Sequence, residues 1–302
     1  MDLENIELVE VGPRDGLQNE PDIISTDAKL ALIERMIGYG ARRLEVASFV
    51  HPQRVPQMAD AEGVIASLPD RKDCTYIGLV LNKRGVMRAL ATRDDGARGV
   101  DQVGCVIVAS DTFGQKNQGQ TIAEGLAETR AMLRFAKVEG LRAQVTISAA
   151  FGCPFEGEVK HDTVLAIAEE LAIEAPEEIA LADTIGVGTP AEVTQLFGRL
   201  GALLGDTIPM RAHFHNTRGT GIANGWAAYQ AGVRIFDASL GGLGGCPFAP
   251  RATGNIATED LVYMMARSGV DTGIDLDAAI AANKWFADVL GRELPSAVAR
   301  AA

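Results

Sequence analysis

Residues 211–219 read RAHFHNTRG, and His213 and His215 lie two apart in a chain with 4 histidines. Strand side chains alternate, so the two imidazoles would share one face and Phe214 would take the other. Neutral imidazoles side by side can hold a divalent metal. The alternative is a pair of hydrogen-bonded core histidines. Asp15, in VEVGPRDGLQNE, would add an anionic oxygen ligand. Imidazole nitrogen with carboxylate and amide oxygen, without thiolate, favours Mg²⁺ or Mn²⁺ over structural zinc. Arg14 precedes Asp15. A guanidinium beside a metal carboxylate can grip a substrate carboxylate or a developing enolate through two parallel hydrogen bonds, although a surface ion pair would explain it too. Glu45 sits in the apolar run RLEVAS, where a carboxylate is costly without a partner, and Arg14 or Arg43 is the expected one. Asp183 would orient a ligand, relay a proton, or cap a helix beside Thr184. Cys246 lies between glycine pairs in GGLGGCP, on a loop able to approach a ligand closely, where a thiol can exchange a proton. Cys153, in FGCPFEG, also ends a strand, whereas Cys74 and Cys105 read as small buried hydrophobes.

These groups need elements to bring them together. Strand-like runs occur at 6–12, 43–48, 75–80, 102–110, 143–151, 177–183, 209–215 and 234–239, separated by stretches with helical spacing. Strands alternating with helices imply a parallel sheet, and eight such units in this length predict a (β/α)8 TIM barrel. Thr189-Pro190 reads as a helix cap followed by a first-turn proline, and Gly40, Gly140 and Gly205 fall where helix C-caps are expected. The eighth helix is expected at 258–269. Residues 1–302 are read as one catalytic domain, with extra helices from about 270 to 302. The runner-up, a doubly wound open sheet, would want GxGxxG after strand one, where PRDGLQNE stands instead. In a barrel, polar residues at the C-terminal strand ends gather at one rim, and Arg14, Asp15, Asp183, His213 and His215 all fall there.

Composition narrows the function. The 302 residues are 47% hydrophobic and carry a formal net charge of -12. That argues against broad nucleic-acid or anionic-membrane binding, while leaving room for a local basic pocket. The 4 cysteines are far apart, which predicts neither a disulfide framework nor a zinc knuckle. The acidic N-terminus has no signal-peptide pattern and no apolar run reaches membrane-spanning length, so a cytoplasmic enzyme is expected.

The stretches VEVGPRDGLQNE, GCPFEG, DTIGVGTP, HFHNTRG and GGLGGCPFAPRATGNIATEDLVYM resemble the 3-hydroxy-3-methylglutaryl-CoA lyase family, over about residues 6 to 290. That family belongs to the TIM-barrel superfamily that includes isopropylmalate and homocitrate synthases. The resemblance implies a divalent metal held by Asp15, His213, His215 and Asn255. It makes Arg14 the electrostatic partner of substrate and enolate and Cys246 the loop thiol in proton transfer. Glu45 and Asp183 would lie around the same site, and Gln18 would touch the substrate. It implies retro-Claisen cleavage of a 3-hydroxy-acyl-CoA to acetyl-CoA and an oxo acid, acetoacetate for the methylglutaryl substrate. A homo-oligomer, dimer or tetramer, is expected, with the acyl-CoA as its small-molecule partner. The chain departs from the family's usual HCHDTYG at Asn216 and Arg218, from a glycine at Ala182, and from a basic and a small polar residue at Pro21 and His51. Asn216 and Arg218 are therefore expected to face the acyl group and set the substrate. A condensing synthase, supported by Asn216, and a catalytically silent scaffold are the competing readings.

Overall fold

The computed structural model describes residues 4–245 and 254–302. Eight parallel strands, β1 (Glu7–Glu10), β2 (Arg43–Ser48), β3 (Thr75–Val80), β4 (Gln102–Val108), β5 (Arg142–Ser148), β6 (Ile179–Asp183), β7 (Met210–Phe214) and β8 (Ile235–Ala238), close into a barrel in sequence order. Each lies within or beside one of the eight runs read from the sequence. The barrel closes where β8 pairs with β1, from Glu7↔Ile235 to Glu10↔Ala238. The helices that cover it include α1 (Thr26–Gly38), α5 (Ile122–Val138), α6 (His161–Ala172), α7 (Pro190–Leu204), α8 (Gly221–Gln230) and α9 (Thr258–Arg267). Local chemistry sets their ends. Thr189 caps α7 in a reciprocal box with Glu192, Pro190 opens the helix, and Gly205 ends it at φ 57°. Two further helices, α10 (Leu276–Leu290) and α11 (Ala297–Ala301), follow the barrel, and α10 packs against α1 and α9. No helix among the described residues is long and apolar enough to cross a membrane.

Each strand sends alternate side chains to two different environments. Those pointing outward form the large hydrophobic shell under the helices. Phe214 is among them: its ring lies 6.1 Å from that of Phe151 and 6.4 Å from that of Phe197. Burying it in that shell forces its neighbours His213 and His215 to the opposite side. The inward set is only partly apolar. Val9, Val11 and Ile77, with Ile235 against them, form a small separate cluster. Opposite them the barrel holds charges, where barrels of this kind carry mostly branched aliphatic residues.

Those charges alternate in sign. Arg43 is a bidentate donor to Glu178 at 2.9 and 3.0 Å and also reaches Glu7 at 2.8 Å. Arg211 lies 3.2 Å from Glu178 through Nε and donates to Asp237 Oδ1 at 3.2 Å and Thr146 Oγ1 at 2.9 Å. The series Glu7, Arg43, Glu178, Arg211, Asp237 climbs from one end of the barrel towards His213.

Two more buried carboxylates fix the ends of β1 and β8. Glu10 accepts four hydrogen bonds: from the Gly12 and Leu240 amides at 2.9 and 3.0 Å, and from Tyr39 and Thr258 hydroxyls at 2.5 and 2.6 Å. It thus joins the root of the Arg14–Asp15 turn to the root of the glycine-rich loop. Glu259 accepts from the Gly241 amide at 2.9 Å and from Asn283 Nδ2 at 2.7 Å, linking that loop to α10. Burial, with the Glu10 charge nearby, pushes the Glu259 carboxyl up to about 7 from its ordinary 4.5. Between those values the folded protein keeps a proton that the unfolded chain releases. The stabilisation is complete below the unfolded value and is lost as pH rises through 7, a change on the order of 3 kcal/mol. Glu259→Gln should therefore lose stability less steeply than the parent between about pH 4.5 and 7, as read by denaturant melts across that range. An unchanged slope would refute a proton held there.

Candidate active site

A cavity of about 970 Å³ opens at the C-terminal ends of the strands. Its inner end is built by β1, β2, β5, β7 and β8. The chain leaves β1 in a wide helical turn, Gly12–Gly16, which raises Arg14 and Asp15 into the cavity wall. Across from them stand His213 and His215, whose ring centroids are 5.2 Å apart. Ligand-capable atoms of Asp15, His213 and His215 all lie within 4.8 Å of one another.

Each member is oriented by a neighbour. Asp237 Oδ2 lies 2.9 Å from His213 Nδ1. With Asp237 ionised, that nitrogen carries the proton and Nε2 keeps its lone pair for a metal, the carboxylate–histidine arrangement found behind many metal ligands. Asp15 Oδ1 accepts from Arg14 Nη1 at 2.6 Å, and its Oδ2 accepts from Asn255 Nδ2 at 2.7 Å. Asn255 also donates to the Leu243 carbonyl at 3.0 Å, which leaves its own Oδ1 buried without a partner, as is His215 Nδ1. Two partnerless buried acceptors beside an ionised carboxylate are what a divalent cation needs as further donors, so the residues present fit a metal. The loop can pass over Asn255 only as glycine. At Gly244, φ is +123° and a Cβ would come 2.7 Å from Asn255 Nδ2.

The electrostatics agree. Burial would raise the Asp15 carboxyl, but Arg14, His213 and His215 outweigh it and hold it at about 2. Burial, then the neighbouring His213, pulls His215 down to about 4, so it stays a neutral imidazole at neutral pH, the form a metal would need. Burial works to lower His213 as well, but the hydrogen bond and charge of Asp237 leave it above its ordinary value. Glu45 pairs with Arg14 Nε, and burial keeps its carboxyl above the usual range despite that cation. Of the two partners expected for Glu45, the pairing goes to Arg14, because Arg43 is committed to Glu178 at the far end of the barrel.

Gln18 lines the cavity beside Arg14 and Asp15, with a buried Oε1 that has no partner. Three other residues are turned elsewhere. Asp183 is fully buried and accepts from the Val187 and Gly188 amides at 2.9 Å each; it closes a turn, and the helix that follows is capped by Thr189 instead. Asn216 Oδ1 accepts from the Gly221 amide at 3.0 Å, and Arg218 Nη1 donates to the Ile185 and Gly186 carbonyls at 3.0 Å. Neither side chain lines the cavity, so the expectation that they face the acyl group is corrected. Past His215, which bridges to Asn255, the extended backbone ends, and its alternation no longer dictates direction. Cys246 lies outside the described residues. Cys153 is buried against Ser110 Oγ at 3.0 Å and does not line the cavity. Arg211, Asp237, Thr146, Ser148 and Thr184 do line it and were not singled out from the sequence. Their signal was a polar residue at every second position of an otherwise apolar run. At the wide mouth, Arg54 and Arg84 are exposed cations beside Asn82 and His51, while Lys83 and Lys116 lie over Phe135 and Phe155 instead.

The family model described as HMGL-like matches residues 5–285. The chain is 44% identical to the (R)-citramalyl-CoA lyase of Chloroflexus aurantiacus, over 99% of this chain and 95% of that one. It is 39% identical to a hydroxymethylglutaryl-CoA lyase of Bacillus subtilis, over 96% and 95%. A solved HMG-CoA lyase from Acinetobacter baumannii, in complex with coenzyme A and 3-methylmalate, superposes with a TM-score of 0.92 at 38% identity, covering 98% of this chain and 95% of that one.

The geometry makes Asp237 the support of one imidazole and leaves His215 as a candidate ligand beside it. In calorimetry with Mn²⁺, His215→Ala should abolish binding, and Asp237→Asn should weaken it about 10- to 100-fold while the protein stays folded. Parental affinity in both variants would contradict this donor set.

Proposed function

The chain belongs to the HMGL-like family and is a carbon–carbon lyase, and on that premise we propose that its substrate is a 3-hydroxy-3-methyl-branched acyl-CoA of the hydroxymethylglutaryl kind. Cleavage of the C2–C3 bond yields acetyl-CoA and acetoacetate. The same reaction on a citramalyl thioester, the substrate class in the name of the Chloroflexus relative, yields acetyl-CoA and a 2-oxo acid. The observation that carries the reading is the Asp15–His213–His215 cluster, beside which His215 Nδ1 and Asn255 Oδ1 are buried without a partner.

Asp15, His213, His215 and Asn255 hold Mg²⁺ or Mn²⁺ in this reading. When bound, the cation supplies the Lewis acidity that lowers the pKa of the substrate's 3-hydroxyl. The surrounding carboxylates and imidazoles supply the base that takes the hydroxyl proton. As C3–O becomes a carbonyl, the C2–C3 electron pair moves onto the thioester and forms the enolate of acetyl-CoA. Arg14 is fixed through Nε by Glu45 and through Nη1 by Asp15, so its remaining N–H groups meet that developing oxyanion without rearranging. Cys246 delivers the proton that converts the enolate to acetyl-CoA. Gln18 orients the acyl group, and Arg54 and Arg84 at the mouth face the anionic end of the coenzyme. The condensing alternative loses its support, since Asn216 serves the turn before α8. We read the protein as a cytoplasmic homo-oligomer.

A panel of 3-hydroxy-acyl-CoAs differing at C3, assayed with Mg²⁺ and with Mn²⁺, should show release of acetyl-CoA from a methylglutaryl or citramalyl thioester. Failure to cleave any member would sink the proposal. Cys246→Ser should lower turnover far more than it weakens Mn²⁺ binding, and equal losses in both would remove its assigned role.

A further inference from the structure

Gln144, in the middle of β5, is fully buried. Its Oε1 accepts from Arg43 Nη2 at 3.2 Å. A guanidinium offers only donors, so it dictates which end of the amide faces Arg43. The other end, Nε2, is buried with no partner. Leaving an amide donor unmade in the interior is destabilising, so such a donor ordinarily has a partner. Its register partner on β4 is Gly104. A Cβ at Gly104 would sit 3.4 Å from Gln144 Nε2, 3.4 Å from Glu45 Oε2 and 3.8 Å from Ile77 Cγ2. Gly104 is not among the glycines at positive φ, so the backbone there does not require glycine. What glycine provides is room between an amide donor and a carboxylate oxygen. Gly104 and Glu45 both line the cavity, so that room opens towards the site.

A group placed there must accept from Gln144 and donate to Glu45. An anion would meet the Glu45 carboxylate, and an ammonium would meet the amide donor. Water does both. We propose that the recess over Gly104 is the site of one ordered water, bound between Gln144 Nε2 and Glu45 Oε2. Gln144 is thereby a positioning residue. It steadies the second oxygen of Glu45, whose first oxygen holds Arg14 Nε. The proposal rests on the lyase reading for its kinetic arm alone.

High-resolution crystals of the full chain with Mn²⁺ should show water density about 2.7–3.2 Å from both atoms. Gly104→Ala meets its neighbours at ordinary contact distances, so it should fold, lose that density and keep its Mn²⁺ affinity. Its kcat should drop roughly tenfold with KM little changed, as expected when a support of Arg14 in the transition state is lost. Gln144→Met removes the donor without filling the recess and should show the same kcat loss, which covers the case of an unfolded alanine variant. A parent crystal with an empty recess overturns the site, and full kcat in a folded Gly104→Ala or Gln144→Met overturns the positioning role. If no acyl-CoA is cleaved at all, the lyase reading fails while the crystallographic arm still decides the water.

Discussion

A guanidinium or carboxylate withdrawn from water inside a barrel persists only with its counterion beside it. Most of what is particular to this structure follows from that constraint. Arg43, Glu178, Arg211 and Asp237 occupy the interior on four strands and strand ends, and each pairs with the next. The top of this series is Asp237, which fixes the tautomer of His213. The imidazole presented to the cavity is therefore oriented by charges that begin at Glu7, at the opposite end of the barrel. Removing one member would leave its neighbours with fewer counterions and the buried charge of the series unbalanced.

A second set of carboxylates does the same work for the loops. Glu10 gathers the amides of Gly12 and Leu240 onto one oxygen, so the turn carrying Arg14 and Asp15 cannot move relative to the root of the glycine-rich loop without breaking both bonds. Asn255 repeats the link higher up, with one amide group donating to Asp15 and to the Leu243 carbonyl. The donors of the site come from β1, β7 and the segment after β8, far apart in the chain. They are held together by hydrogen bonds between their own backbones and these few buried side chains.

Much of this was legible in the sequence. Eight alternating runs announced the barrel, because strand and helix periods differ and the connections are short. The HxH spacing announced two imidazoles on one face, because Phe214 had to go to the other. The charge series was not legible as a series. Arg43 was read only as a possible partner of Glu45, and Gln144, Arg211 and Asp237 were not singled out, because their partners lie on other strands at separations no local pattern encodes. Asn216 and Arg218 misled for the opposite reason. They adjoin the histidines in sequence, but strand geometry stops at His215, and the turn that follows takes both side chains for its own amides and carbonyls.

The interior series also bears on how such a barrel changes over time. Because Arg211 is counterion to both Glu178 and Asp237, exchanging any one of the three alone for an apolar residue unbalances the buried charge of the series. Viable descendants would have to alter two strands together, or first pass through a neutral polar residue such as the glutamines already present at 102 and 144. Those glutamines mark where such a passage is open. The floor of the cavity is thus inherited as a block, and new acyl preferences in its lineage should arise first at rim hydroxyls such as Ser148 and Thr184, which, among the described residues, pair with each other and one backbone amide.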